Sequence, residues 1–414
     1  MYFVFNDEAD IVRGKNRSIL VNIKNKTLYF VSNKFYKILR LCKKGKSIER
    51  ISNNTELLTA KLKELETLQF GRIMHYLPVE RENVINKNKI DMLWLPLTES
   101  CNYRCIHCYE NANNSVKQNN YMSLFDYKIF FDLVTQKHTI NCVQLTGGEP
   151  LLRGKKFILE LIKLLKTYDI KMIEIYTNLS LLDDEYISMF REFNIHIATS
   201  FYSINEDIHD SITMVKGSQH KTIEALDKLK ANKIPFRIGI VIMNENVNDC
   251  NVLRDWLNER YNLFDQKKFD IIRPIGRGKN FEHVPKSLFN ERYIDNAKKI
   301  SNNNFENYFY KKYFNSCWGN KVCLKSDGHI FPCVMSKVCL GNFKNIIKIL
   351  DRKDSYRFLT KDKIKVCKRC EFRYLCNECR AMYSNKKRDL KNKPFTCSYD
   401  PSKNCFKGEE KYEN

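Results

Sequence analysis

The chain has 414 residues, with 71 Lys and Arg against 48 Asp and Glu, and a formal net charge of +23. Hydrophobic residues make up 43% and aromatics 12%, which excludes a disordered chain and leaves material for two or three domains. No apolar run reaches the length of a membrane span and the N-terminal stretch carries no signal-peptide pattern, so a cytoplasmic protein is expected.

Residues 1–80 read as a small separate unit. Residues 19–31 alternate like a hairpin with a polar turn near Asn25. Residues 33–42 are amphipathic and helical, and end near Gly45. Two further helices are expected over 47–52 and 55–70. A hairpin with three helices is a winged-helix-like pattern. Residues 80–90 are polar without apolar periodicity and read as a linker.

From 91 to 304, strand and helix alternate. Strands are expected over 91–98, 141–146, 171–177, 195–201, 235–243 and 268–274. Helical periodicity fills 123–137, 155–168, 183–193, 218–232, 248–261 and 287–301. Six βα units in a row predict an α/β fold with a parallel sheet, open or curled into a barrel. The alternation breaks in residues 305–414, where short segments separate many cysteines. Such a region is expected to be held by metal rather than by a large apolar core.

Sixteen cysteines in a chain of this size point to metal or redox chemistry rather than to disulfides. Three fall on one loop after the first strand, Cys101, Cys105 and Cys108, spaced C-x3-C-x2-C. Three thiolates there can ligate three irons of a [4Fe–4S] cube and leave the fourth iron open, as a catalytic site requires. The amine and carboxylate of S-adenosylmethionine can chelate that iron. A zinc knuckle is the alternative, and His107 is the only further zinc ligand on the loop.

The second strand runs into Gly147-Gly148-Glu149-Pro150. The glycines would admit a ligand close to the backbone, and Glu149 offers an acceptor to an ammonium group. The later strands also end in polar residues: Thr177-Asn178, Ser200 with Tyr202 beyond, Asn244, and Arg273-Pro274-Ile275-Gly276-Arg277-Gly278. Active sites of parallel barrels lie at these strand ends.

With C-x3-C-x2-C after strand one, GGEP after strand two and six βα units, the chain resembles the radical S-adenosylmethionine (radical SAM) superfamily. The resemblance implies a partial (βα)6 barrel. It implies that Cys101, Cys105 and Cys108 hold the catalytic cluster. Gly147, Gly148, Glu149 and Pro150 would bind S-adenosylmethionine with Thr177, Asn178 and Ser200. Ile212-Thr213 stands where many relatives carry an Arg, which leaves recognition of the cofactor carboxylate open.

The tail reads Cys317-x5-Cys323-x9-Cys333, then Cys367-x2-Cys370-x5-Cys376-x2-Cys379, then Cys397 and Cys405. This resembles the SPASM domain, which binds two auxiliary [4Fe–4S] clusters. By order, Cys317, Cys323, Cys333 and Cys379 would hold the first, and Cys367, Cys370, Cys376 and Cys397 the second. The gap before Cys379 is two residues where relatives have three, so an open first cluster is the alternative. Zinc bound by the two C-x2-C pairs is another. Cys339 and Cys405 are left over.

Residues 1–80 resemble the PqqD-like recognition element of peptide-modifying enzymes, which adds a leader peptide as a strand beside its hairpin. Together the three parts resemble a maturase of ribosomally made precursor peptides, forming thioether or carbon–carbon crosslinks, with an electron donor such as flavodoxin or ferredoxin. Epimerisation and maturation of a protein side chain, as in anaerobic sulfatase-maturing enzymes, are the alternatives within this chemistry. An iron–sulfur electron carrier is the non-enzymatic one. The positive charge suits an acidic leader; no basic block with interleaved aromatics marks a nucleic-acid site.

Overall fold

The computed structural model describes residues 1–78, 86–114, 121–263, 269–291, 305–384, 390–393 and 397–406. Strand β1 (Tyr2–Phe5) opens the chain. It is followed by an antiparallel sheet of β2 (Ala9–Arg13), β3 (Arg17–Asn22) and β4 (Thr27–Ser32). β3 and β4 form the expected hairpin, with Ile19 opposite Phe30. Ser32 caps α1 (Asn33–Lys43) by accepting from the Phe35 amide. Helices α2 (Ile48–Ile51) and α3 (Thr55–Thr67) follow, and β5 (Gly71–Met74) returns to pair with β1. Strands β1, β2 and β5 lay outside the expected elements because each is only four or five residues long. Leu20, Leu39, Ile48, Leu62 and Phe70 form the buried centre of this part.

The polar stretch expected as a linker ends in a strand. β6 (Lys89–Ile90) pairs in parallel with Thr139 and Ile140, and residues 79–85 lie outside the described ones. The parallel core then runs β7 (Met92–Pro96), α4 (Leu124–Thr135), β8 (Thr139–Thr146), α5 (Lys155–Lys166), β9 (Ile170–Tyr176), α6 (Asp184–Glu192) and β10 (His196–Ser200). It continues through α7 (Glu206–Thr213), α8 (Ser218–Ala231), β11 (Phe236–Gly239), β12 (Val241–Ile242), α9 (Cys250–Tyr261) and β13 (Asp270–Ile271). β7, β8, β9, β10 and β11 lie side by side in that order, all parallel. Ile240 interrupts the fifth strand, so β11 pairs back to β10 while β12 pairs forward to β13. This is the expected α/β fold, a parallel sheet whose strands are joined by helices. Helix α7 was not expected: at eight residues it falls below the length at which periodicity is decisive. The helix expected over 287–301 begins as a short turn at Lys286–Phe289, and residues 292–301 lie outside the described ones.

The tail departs from expectation. β14 (Lys321–Leu324) adds in parallel to β7, and β15 (His329–Phe331) and β16 (Gly341–Asn342) extend the sheet. Trp318, Val322, Leu324, Ile330, Ile346 and Leu350 are fully buried and belong to the same core as the barrel. An edge strand on a parallel sheet needs both faces covered, which is why this cysteine-rich segment carries an apolar core.

Residues 1–78 dock on the tail. Val12, Ile19 and Val21 share a buried cluster with Phe305, Tyr308, Leu375 and Tyr399. At its edge Asp10, 1% exposed, pairs with Lys43 and with Lys312 at 2.6 Å, and accepts from the Tyr308 hydroxyl at 3.1 Å. Arg17 binds Glu371 at 2.8 Å. Removing one partner of a buried ion pair strands the other charge. Lys43 and Lys312 stay partly exposed, so Asp10→Ala should weaken this docking by about 1–3 kcal/mol through the lost charged hydrogen bonds, read as faster amide exchange in β2 and in Tyr308–Tyr313. Unchanged exchange there would show that the ion pair does not hold the two segments together.

Candidate functional site

The loop after β7 is held from several sides. The Arg104 and Ile106 amides donate to the Thr213 and Ile212 carbonyls, so the stretch singled out for lacking an Arg supplies backbone acceptors to the cysteine loop. Arg277 donates to the Cys105 carbonyl at 2.7 Å and to the Ala112 carbonyl at 2.9 Å, and its own amide reaches the Cys108 carbonyl. The Asn178 amide group faces the Cys101 sulfur at 3.9 Å. His107 Nε2 lies 3.2 Å from the Tyr202 hydroxyl, and burial pulls the imidazole down to about 4, so it is neutral at pH 7.

The two glycines of the second strand end have a packing reason. The Gly148 amide donates to the Thr98 carbonyl and the Glu149 amide to the Ser100 carbonyl, each at 2.8 Å. A Cβ at Gly147 would collide with the Thr98 oxygen, and one at Gly148 with the Ser100 oxygen. Gly147 also has φ +128°, a conformation that favours glycine. The turn is pressed onto the strand that carries the cysteines.

Behind it stands Glu149, 1% exposed. Its carboxylate accepts from the Leu151 amide at 3.0 Å, the Thr177 hydroxyl at 2.7 Å and the Asn178 amide at 2.8 Å. These bonds join the ends of β8 and β9. Burial raises its pKa to about 7 against those three bonds.

A cavity of about 740 Å³ lies at the strand ends. Cys101, Cys105, Cys108, Gly147, Gly148, Thr177, Asn178 and Ser200 line it, while Glu149 and Pro150 lie behind the wall. The Ser200 hydroxyl pairs with Tyr176 at 2.7 Å. Asn244 is turned away, bonding the Glu282 and Val284 carbonyls. The cavity is also lined by residues that the sequence did not single out: Met92, Trp94, Arg237, Ile271, Val334 and Met335. Arg237 is committed to Glu174 through two bonds of 2.7 and 2.8 Å. Arg273 and Arg277 were visible only as polar residues after the sixth strand; Arg273 faces Met335 and Asp270.

The tail cysteines fall into two neighbourhoods. Cys317 and Cys379 lie within electrostatic reach of Cys333, and Cys333 within that of Cys323. Cys379, left open by its spacing, thus sits with the first group. Cys367, Cys370 and Cys397 each feel Cys376. Burial pushes Cys101, Cys333 and Cys367 up to about 12 and raises Cys105, Cys323 and Cys370 as well. Such thiols become thiolates when a metal supplies the opposing charge. Among the described residues no three His, Cys, Asp or Glu side chains converge on a point suited to a single ion. A cluster whose thiolates each take a different iron does not need that convergence. The donor set fits iron–sulfur clusters.

Residues 95–257 match the model of the radical SAM superfamily, a family that uses a [4Fe–4S] cluster and S-adenosylmethionine. A GTP 3′,8-cyclase of Clostridium perfringens (strain SM101 / Type A) is 32% identical over 213 residues, which cover 51% of this chain and 64% of that one. The chain thus spans just under two thirds of that relative. A cysteine-type anaerobic sulfatase-maturating enzyme of Clostridium perfringens (strain 13 / Type A) is 24% identical over 331 residues, 69% of this chain and 87% of that one. Among solved structures, Streptococcus suis SuiB bound to S-adenosylmethionine superposes with a TM-score of 0.57 at 14% identity, covering 96% of this chain and all of that one. SuiB has also been solved with its precursor peptide SuiA.

The raised pKa of Glu149 has a testable sign. A carboxyl that titrates at about 7 when folded, against 4.5 when free, holds its proton more tightly in the folded state. Its contribution to stability is full below pH 4.5 and is lost as pH rises through 7. Glu149→Gln removes this dependence and leaves one or two donors unsatisfied, at about 1–3 kcal/mol. The stability gap to wild type should narrow between pH 5 and pH 7.5 in denaturant titrations. A gap that widens would mean that Glu149 is ionised throughout that range.

Proposed function

We propose that this chain is a radical SAM maturase of a ribosomally made precursor peptide. What carries the reading is one cavity with the three-cysteine loop and the double-glycine turn on one wall and Val334–Met335, next to Cys333, on another. A reaction at the first wall then lies within reach of a second metal group.

In this reading Cys101, Cys105 and Cys108 hold the [4Fe–4S] cluster. Gly147, Gly148, Thr177, Asn178 and Ser200 contact S-adenosylmethionine, with Glu149 and Pro150 fixing them from behind. Bound there, cluster and cofactor supply a 5′-deoxyadenosyl radical that takes hydrogen from an unactivated carbon. Arg277 and the Ile212–Thr213 carbonyls hold the loop still. Met92, Trp94, Ile271 and Met335 give the substrate side an apolar wall that excludes water from a reactive centre. Cys317, Cys323, Cys333 and Cys379 hold the first auxiliary cluster and Cys367, Cys370, Cys376 and Cys397 the second. With four thiolates each, both are saturated and serve electron transfer, with flavodoxin or ferredoxin as outside donor. The products are thioether or carbon–carbon crosslinks.

Residues 1–80 are the leader-recognition element. β4 is an edge strand, so its outer backbone groups can pair with an added strand. Phe30, 47% exposed, stands on it with the Arg17 guanidinium 4.1 Å from its ring centre. The barrel and tail alone fit a protein-side-chain maturase equally well, as the match to the sulfatase-maturating enzyme illustrates; the hairpin edge is what favours the precursor-peptide reading.

Anaerobic reconstitution of the full chain should give about twelve irons and little zinc, and the Cys101/Cys105/Cys108 triple Ala variant about one third less iron. Zinc as the dominant metal would sink the ligand assignment. For the N-terminal element, a labelled acidic leader peptide encoded beside the gene should bind the full-length protein, and Phe30→Ala should weaken that binding roughly tenfold or more, as for an aromatic anchor. Binding unaffected by Phe30→Ala and by added salt would move the leader site elsewhere.

A further inference from the structure

The turn between β2 and β3 sits on the two segments that carry Cys370 and Cys397. Arg17 donates through Nε to the Glu371 carboxylate at 2.8 Å and through Nη2 to the Tyr399 hydroxyl at 3.4 Å. Tyr399 donates to the same carboxylate. Glu371 and Tyr399 are both buried; the first follows Cys370 directly and the second lies just beyond Cys397. Nη1 of Arg373 donates to the Arg13 carbonyl at 2.7 Å and to the Cys370 carbonyl at 3.0 Å. A Cβ at Gly14 would meet Glu371 Oε2 at 2.8 Å, and Lys15 and Asn16 both bond Ser402. Cys370 and Cys397 themselves pack against the buried cluster that Val12, Ile19 and Val21 share with Phe372 and Tyr399.

These cysteine segments have little regular structure of their own. Among the described residues from 367 to 406, the elements are a turn at Cys367–Arg369, a single helical turn at Ala381–Ser384 and the two-residue strands Tyr399–Asp400 and Cys405–Phe406. Such a chain is fixed by cross-links rather than by its own hydrogen-bond ladders. A cluster would tie the thiolates together, and the N-terminal turn ties the same backbone through Arg17 and Arg373. Each tie removes conformational freedom that the other then need not remove, so the two reinforce each other.

We propose that the β2–β3 turn is part of the housing of the second auxiliary cluster, so that docking of residues 1–78 and occupancy of that cluster are coupled. Metal tightens the docking of the peptide-recognition unit, and the docked unit helps to retain the metal. Arg17 and Arg373 are the positioning residues that carry this coupling, which by linkage acts equally in both directions. The inference rests on the reading, proposed above, that Cys370 and Cys397 are cluster ligands.

The test compares amide exchange in β2 and β3 of the anaerobically reconstituted full-length protein with that of Cys370→Ala/Cys397→Ala. Losing the second cluster should speed that exchange roughly 5- to 150-fold, the usual span of coupling between two sites, while β8 and β9 exchange as in wild type. Should that variant unfold in β8 and β9 as well, the comparison is made between reconstituted and metal-free wild type. In Arg17→Gln/Arg373→Gln the hairpin should exchange fast whether or not metal is present, so the effect of metal disappears. A merely structural contact would slow exchange without making it depend on metal. If exchange in β2 and β3 is the same with and without the second cluster, or responds to metal as strongly in the arginine variant, the coupling fails and the ligand reading stands. If Cys370→Ala/Cys397→Ala takes up as much iron as wild type, rather than about one third less, the ligand reading fails and takes the proposal with it.

Discussion

The closeness of two strand ends governs this structure. The Gly148 and Glu149 amides bond the Thr98 and Ser100 carbonyls with no room for a Cβ between them. That contact fixes where the cysteine loop leaves β7 relative to the end of β8. Glu149 passes the constraint on to β9 through Thr177 and Asn178. Asn178 in turn faces Cys101. Three strand ends and the cysteine loop are thereby locked into one arrangement, which is the preorganisation that a reactive centre needs.

The rest of the molecule brings further chemistry to the same face. β14 pairs with β7, so Cys323 lies on the strand beside the one that leads into the Cys101–Cys108 loop. β15 and the turn after it place Val334 and Met335, next to Cys333, against the cavity. The N-terminal hairpin packs its apolar face on the tail and ties itself down through Asp10 and Arg17. A peptide held at β4 would therefore be attached to a body continuous with the auxiliary cysteines rather than to a loose appendage.

Much of this was legible in the sequence. The alternation gave the parallel core because buried strands and amphipathic helices have different periods, and the ranges agree with the observed elements to within a few residues for the first four units. The cysteine loop and the double glycine stand out by their spacing, while the grouping of the tail cysteines comes from the resemblance to the SPASM domain. What was not legible depends on tertiary packing. β6 and β14 are two and four residues long, and only their partners define them. The apolar core of the tail was missed because its hydrophobic residues are scattered between cysteines. The packing role of the glycines also escaped the sequence, because it answers the Thr98 and Ser100 carbonyls of a neighbouring segment. Arg277 gave no signal beyond its place after the sixth strand, since its partners are backbone carbonyls of the cysteine loop, more than 160 residues earlier.

The central claim is that the three thiols on the loop after β7 make this chain a radical enzyme. Quantifying 5′-deoxyadenosine after anaerobic reduction, with S-adenosylmethionine supplied, tests it most directly. The account predicts release by the reconstituted wild type and none by the Cys101/Cys105/Cys108 triple Ala variant, which should keep its fold and its auxiliary iron. Release by that variant at the wild-type rate would contradict it.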